Sequence, residues 1–242
     1  MVAHTLSIAF YPITADHRGV PNNLLAAEDK CLASVYKNKS VAEQNSVEVA
    51  WEALLADEFE AFRVCIFGND CEMNRFRKLL VNSVIATDIF DREQSTLRKN
   101  RWNVAFSEDN AREDQKVAKN RKATIVIEHL IQASDVSHCM QHWHVYQKWN
   151  ERLFHETYDA FLEGRSAKDP SEGWYKGELW FFDNYVIPLA KKLHNCGAFG
   201  VTSEEYLNYA VANRNEWAAK GEEMVEKLKN AFSDPVEEEG KK

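Results

Sequence analysis

Between residues 127 and 156 the chain reads IEHLIQASDVSHCMQHWHVYQKWNERLFHE, an apolar run that breaks at Asp135 and then resumes. Beyond the break, Trp143, Tyr146, Trp149, Leu153 and Phe161 return at helical spacing, which stacks side chains along one helix face. A strand cannot use that period, because its side chains alternate between two faces. Five of the eight histidines, His129, His138, His142, His144 and His155, crowd around the break. The stretch therefore predicts two partly buried helices meeting at a polar pivot. The carboxylate of Asp135 at that pivot is either a helix cap or a ligand for a divalent ion.

The rest of the chain carries the same period. Residues 24–36 predict a helix, and Ser40 stands three residues before Glu43, the spacing of a capping box, with Val47, Trp51, Leu54 and Leu55 continuing the stripe. Residues 57–65 and 72–90 predict two more helices, the second lined by Phe76, Leu79, Leu80, Ser83, Val84 and Thr87. Residues 91–121 are charged almost throughout and read as an exposed connection. Residues 174–193 and 206–228 predict the last two helices. With only nine Gly and five Pro in 242 residues, and no alternating pattern, the fold class is all-α.

Charge and cysteine usage narrow the functional classes. A net charge of −8 disfavours nucleic acid as a partner. The five cysteines show no CxxC spacing and read as free thiols of a reducing compartment. No segment reaches the ~20 apolar residues that span a bilayer, and Pro12 interrupts the short apolar run near the N-terminus. A soluble chain making no membrane contact of its own is the expectation.

Individual residues leave open readings. His17 in DHRG is a catalytic or supporting histidine, or a solvated loop residue. Glu43 orients a catalytic group or completes the capping box. Glu178 and Phe181 share a helix face fit for a flat heterocycle, or they belong to the core.

Five segments taken together narrow these choices. DHRGVPN (16–22), SVAEQNSV (40–47), FRKLLVNSVIATD (76–88), ASDVSH (133–138) and GELWFFDNYVIPL (177–189) resemble, in order and spacing, the class I 3′,5′-cyclic nucleotide phosphodiesterase catalytic domain. The resemblance implies an all-helical domain that hydrolyses cAMP or cGMP to the 5′-monophosphate, using one zinc-like and one magnesium-like ion. It implies that Asp135 is the metal-ligand aspartate of the A-D-[ILV]-S motif and contributes to substrate binding. His17 and Asn22 are similar to the last histidine and the asparagine of the family's H-D-x-D-H-x-G-x-x-N loop. Glu43 resembles its supporting glutamate, and Thr87 and Asp88 its T-D pair. Phe181 resembles the ring that stacks on the purine and Leu153 the apolar jaw opposite, with Tyr146 and Trp149 behind the pocket. Glu178 stands where the family has glutamine. An ionised glutamate accepts hydrogen bonds only, which suits guanine, whereas a protonated one regains a donor, so the nucleotide stays open.

The chain also departs from the pattern. Ile13 and Thr14 occupy the family's His-Asp positions, and the H-N-x-x-H-A-x-D stretch has no counterpart. The expectation is an unrelated leader over residues 1–14, a partial catalytic domain over 15–230 lacking its N-terminal third, and an acidic, disordered tail over 231–242. It is a metal-deficient phosphodiesterase of the cytoplasm, with room for upstream regulatory or membrane domains in a longer form. The alternative is a non-catalytic relic that acts as a nucleotide-binding or helical interaction module.

Overall fold

Helical periodicity in the sequence becomes eleven α-helices and no strand among the described residues. The computed structural model describes residues 15–107 and 114–233. The leader with Ile13 and Thr14, residues 108–113, and residues 234–242 of the expected tail lie outside the described residues. The chain divides into two compact units, Met1–Asp135 and Val136–Lys242.

In the first unit, residues 24–36 form two short helices, α1 (Asn22–Glu28) and α2 (Lys30–Val35), instead of one. Asp29 breaks the run: its backbone leaves the helical region, and its carboxylate accepts the Leu32 N–H at 2.9 Å, which caps α2. Helix α3 (Val41–Leu55) then packs against α5 (Asp70–Ile85). Val47 and Trp51 of α3 meet Leu80 and Val84 of α5 in a core flanked by Phe67 and Phe76. The short α4 (Glu60–Ile66) lies between them in sequence, and the Asn69 side chain accepts the Glu72 N–H to start α5.

The expected exposed connection over residues 91–121 is instead largely helical. Its charged residues form α6 (Arg92–Phe106) and the first turns of α7 (Gln115–Asp135), which pack on each other. Trp102 of α6 lies against the buried His129 of α7, ring centroids 4.4 Å apart, and Arg101 pairs with the buried Glu128 at 2.8 Å. The buried positions of α6 are Arg98 and Ala105, so this helix has almost no apolar stripe to announce it.

In the second unit, α8 (Trp143–Leu162) buries Tyr146, Asn150, Phe154 and Tyr158, one face at intervals of four. That face differs from the expected stripe. Trp149 is 48% exposed, with the Arg152 guanidinium over its ring, so it does not support a pocket from behind. Helix α9 (Trp174–Phe181) runs through a π turn, Phe182–Val186, into α10 (Ile187–Asn195). Pro188 explains the wide turn. It has no N–H, and its ring crowds the carbonyl four residues back, while just before it the Ile187 N–H bonds to the Phe182 carbonyl five residues back. The long α11 (Ser203–Ser233) contacts α8, α9 and α10. Its Trp217 is fully buried, donates its indole N–H to the Tyr175 carbonyl at 3.1 Å and meets the Tyr146 ring edge-on.

Gly221, one turn beyond Trp217, is set by this contact. A Cβ there would lie 2.7 Å from the Trp217 ring and 2.8 Å from the Tyr175 ring. Gly221→Ala gains ~1 kcal/mol of helix propensity but forces two packed aromatics apart, at a cost of about 1–3 kcal/mol. The expected outcome is a lower Tm in thermal unfolding followed by circular dichroism. An unchanged or raised Tm would show that the two rings yield freely.

Candidate functional site

Helix α5 ends at Ile85, and the Thr87 hydroxyl turns back to donate to the Val84 carbonyl at 2.7 Å. Thr87 therefore closes the helix. Asp88 follows, buried, and its carboxylate collects four donors. One oxygen accepts the N–H groups of Phe90 and Asp91 at 3.1 and 3.2 Å. The other accepts the Ser40 hydroxyl at 2.7 Å and the Asn22 amide at 3.3 Å. The turn is also pinned through its carbonyls, by Arg98 of α6 on Asp88 at 3.1 Å and by Gln132 of α7 on Ala86 at 2.8 Å.

Asn22 carries the arrangement to Glu43. Its amide nitrogen donates to Glu43 at 2.9 Å, and its carbonyl oxygen accepts the Ala42 N–H at 2.8 Å. Burial pushes the Glu43 carboxyl up. The Asn22 bond opposes that rise, the nearby Asp88 adds to it, and the charge of His17 lowers it. The capping box does not form. Ser40 adopts a left-handed backbone (φ 40°, ψ 50°) and makes no cap bond, its hydroxyl going to Asp88 while Glu43 goes to Asn22.

His17 is exposed on a loop tied to α3. Asp16 accepts from Asn45 at 3.0 Å, and the Ser46 hydroxyl donates to the Ala15 carbonyl at 2.7 Å. The His17 Nδ1 accepts the Gly19 N–H at 3.2 Å, which leaves Nε2 for a proton or a ligand. Asp135 is the last residue of α7, at the negative end of the helix dipole, where a carboxylate caps nothing. Its side chain is exposed to solvent, and the protein atoms packed around the helix end push its carboxyl up to about 6, opposed by the charge of His17. Asn22, Ser40, Glu43 and Asp88 are thus joined by hydrogen bonds, and the His17 loop is tied to the helix that carries Glu43.

The second unit holds the other expected residues. Glu178 accepts the Tyr146 hydroxyl at 2.7 Å. Asn150 donates to that hydroxyl oxygen at 3.4 Å and accepts the Trp174 indole N–H at 3.3 Å. Burial raises Glu178, and its hydrogen bonds from Tyr146 and Asn150 pull it back down. Phe181 is half-buried and stacks on Tyr185 with centroids 5.4 Å apart. Leu153 is 49% exposed on α8, open to a ligand.

The expected crowd of histidines disperses. His129 packs under Trp102 with Nδ1 2.8 Å from the Ile125 carbonyl, and His142 meets the Tyr209 hydroxyl at 2.9 Å. His155 lies against Phe232. Among the described residues no group of three or more His, Cys, Asp and Glu side chains could hold a metal ion. Sequence reasoning passed over Ser40 as a partner of Asp88, Asn150 as a partner of Tyr146 and Glu178, and Trp174 as a partner of Asn150. The only signal for the latter was a polar Asn inside an aromatic stripe.

Two outcomes follow from this chemistry. Asp88→Ala strands four donors and is expected to lower unfolding stability by about 3 kcal/mol in urea titrations. A loss below ~1 kcal/mol would mean that water replaces the carboxylate. His138 is half-buried, and burial pulls its imidazole from 6.5 down to about 4. The unfolded chain then takes up the proton first, so His138 stabilises the fold above pH 6.5, and this contribution is lost as pH falls through about 4. His138→Gln is expected to flatten the pH dependence of the urea midpoint across that window, by at most ~3 kcal/mol.

Comparison with known proteins gives a consistent result. The family model described as 3'5'-cyclic nucleotide phosphodiesterase matches residues 3–199. The protein named "Probable 3',5'-cyclic phosphodiesterase pde-3" of Caenorhabditis elegans is 22% identical over 214 residues, 84% of this chain and 30% of its own length. "Probable 3',5'-cyclic-AMP phosphodiesterase pde-4" of the same organism is 29% identical over 58% of this chain and 20% of its own length. The chain therefore spans less than a third of these curated relatives. The crystal structure of the phosphodiesterase domain of Salpingoeca rosetta rhodopsin phosphodiesterase shares the fold, with a TM-score of 0.71 at 21% identity. That match covers 96% of this chain and 69% of the other.

Proposed function

The chain belongs to the 3'5'-cyclic nucleotide phosphodiesterase family, and from that premise we propose that it hydrolyses a 3′,5′-cyclic purine nucleotide to the 5′-monophosphate. The observation that supports this most directly is the hydrogen-bonded set of Asn22, Ser40, Glu43 and Asp88, with the loop that anchors the His17 ring through Nδ1 tied to the same helix as Glu43. In this reading His17 presents Nε2 to the phosphate, and Glu43, held by Asn22, tunes its charge. Asp88 and Thr87 fix the turn on which Asn22 and Ser40 rest. In the second unit, the family resemblance gives Phe181 and Leu153 the base and Glu178 its edge. The family's zinc-like and magnesium-like ions supply an activated hydroxide and charge neutralisation when bound. The described residues do not fit such a pair, since Asp135 and His17 are too few donors for two ions. Five free cysteines agree with a reducing, cytoplasmic setting.

That donor count also favours a second reading, a module that binds the nucleotide without turning it over. Assays with cAMP and cGMP, in the presence of Zn²⁺ and Mg²⁺, separate the two. Hydrolysis that disappears in Asp135→Ala supports the enzyme, whereas saturable binding without product supports the module. In either case Phe181→Ala is expected to weaken both nucleotides alike, by up to about tenfold, as one lost ring stack implies. Unchanged binding would remove Phe181 from the site.

A further inference from the structure

Helix α6 buries an arginine where a helix ordinarily buries an apolar side chain. Arg98 is 7% exposed, and a guanidinium taken that far out of water needs acceptors for its hydrogens. It finds them on the backbone at the end of α5. One nitrogen donates to the Asp88 carbonyl at 3.1 Å, and the other reaches the Ile85 carbonyl at 3.5 Å. Ile85 is the last residue of α5 and Asp88 lies in the turn beyond it, so a planar, rigid fork spans the exit of the helix. A cation there also meets the negative end of the helix dipole. Gln132 of α7 holds the same turn, donating to the Ala86 carbonyl at 2.8 Å. One turn before Gln132 stands the buried Glu128, which accepts from Arg101 of α6 at 2.8 Å. Three contacts thus close a triangle: α6 to the turn, α7 to the turn, and α6 to α7.

The triangle bears on the site because Asp88 is engaged at both ends. Its carbonyl accepts from Arg98, and its carboxylate accepts from Ser40 and from the Asn22 amide nitrogen at 3.3 Å. That same nitrogen gives its other hydrogen to Glu43 at 2.9 Å. With both amide hydrogens engaged, a displaced Asp88 carboxylate is felt at Glu43. We infer that Arg98, backed by Glu128 across the α6–α7 contact, is a positioning residue for the candidate site, fixing the Asp88 turn so that Asn22 bridges Asp88 and Glu43. For turnover, this role rests on the proposed reading of Glu43 as the group that tunes His17. Lysine is a poor substitute, since its ammonium is a point charge without the fork that reaches two carbonyls. An arginine that merely glued α6 in place would matter no more than Trp102, which packs α6 on His129 with ring centroids 4.4 Å apart.

The test uses the full chain with ¹⁵N-labelled asparagine and reads the Asn22 side-chain amide pair by NMR, assigned through its loss in Asn22→Ser. Arg98→Met keeps the length of the side chain and removes the cation. The Asn22 pair is expected to shift in this variant and to exchange its hydrogens with solvent about tenfold faster. Trp102→Leu, compared at a temperature equally far below its own Tm, is expected to leave the pair where it is. An unmoved pair in Arg98→Met, or equal movement in both variants, overturns the inference. Should Arg98→Met not fold, Arg98→Lys decides in the same way, with a smaller shift expected and an unmoved pair again fatal. In hydrolysis assays with cAMP and cGMP, Arg98→Met is expected to lower kcat roughly tenfold and leave KM unchanged. A raised KM at unaltered kcat would overturn the inference. A wild type that hydrolyses neither nucleotide removes the proposed catalytic function, and the Asn22 pair, read without nucleotide, still supports or overturns the positioning role.

Discussion

A buried carboxylate in the Asp88 turn holds the first unit's candidate site together. Taking such a charge out of water is costly unless its lone pairs are filled, and here four donors fill them. The requirement works in both directions. Ser40 bonds from a left-handed backbone, and Asn22 spends one amide hydrogen on Asp88 and one on Glu43. The turn that offers this carboxylate is held in turn by a buried arginine of α6 and a glutamine of α7. The charged helix α6 is thus part of the scaffold of the site, although none of the expected site residues lies on it.

The second unit solves a similar problem with neutral groups. Tyr146 and Asn150 are buried and serve Glu178, the half-buried Trp174 holds Asn150, and Tyr146 packs edge-on against Trp217. Hydrogen bonds made by side chains that are themselves packed are rigid, because moving one ring disturbs a core of close-packed neighbours. Position and polarity at Glu178 are therefore set by packing as much as by hydrogen bonding.

The all-α class and most helices were legible in the sequence because their apolar positions repeat, as with Val47, Trp51, Leu80 and Val84. Helix α6 was not, since its inward face carries Arg98 and Ala105, and an inward arginine looks like surface until its partner carbonyl is known. On α8 the period was right and the phase was wrong. Four-residue steps from Tyr146 pass through the polar Asn150, so the reading moved to Trp149 and Leu153, which stay open to solvent. Ser40 and Glu43 had capping-box spacing, but a spacing rule is blind to Asp88, 48 residues away, which takes the hydroxyl instead. Of the site, the residues were nameable from motifs. Most of their connections were not, because those to Ser40, Asn22, Glu178 and Trp174 join segments distant in the chain.

The π turn at Phe182–Val186 sets a rule about length. In an α-helix each residue advances about 100° around the axis, so an extra residue would rotate everything after it unless a widened turn absorbs it, as this one does. Upstream of the turn, Glu178 points toward Tyr146. Downstream, Leu189 and Leu193 are buried. Removing a single residue between 182 and 186 would let the helix close into regular α geometry with both faces kept in phase, whereas adding one would exceed what a single wide turn absorbs and swing one face by about 100°. Across this short span the chain can lose a residue more readily than it can gain one.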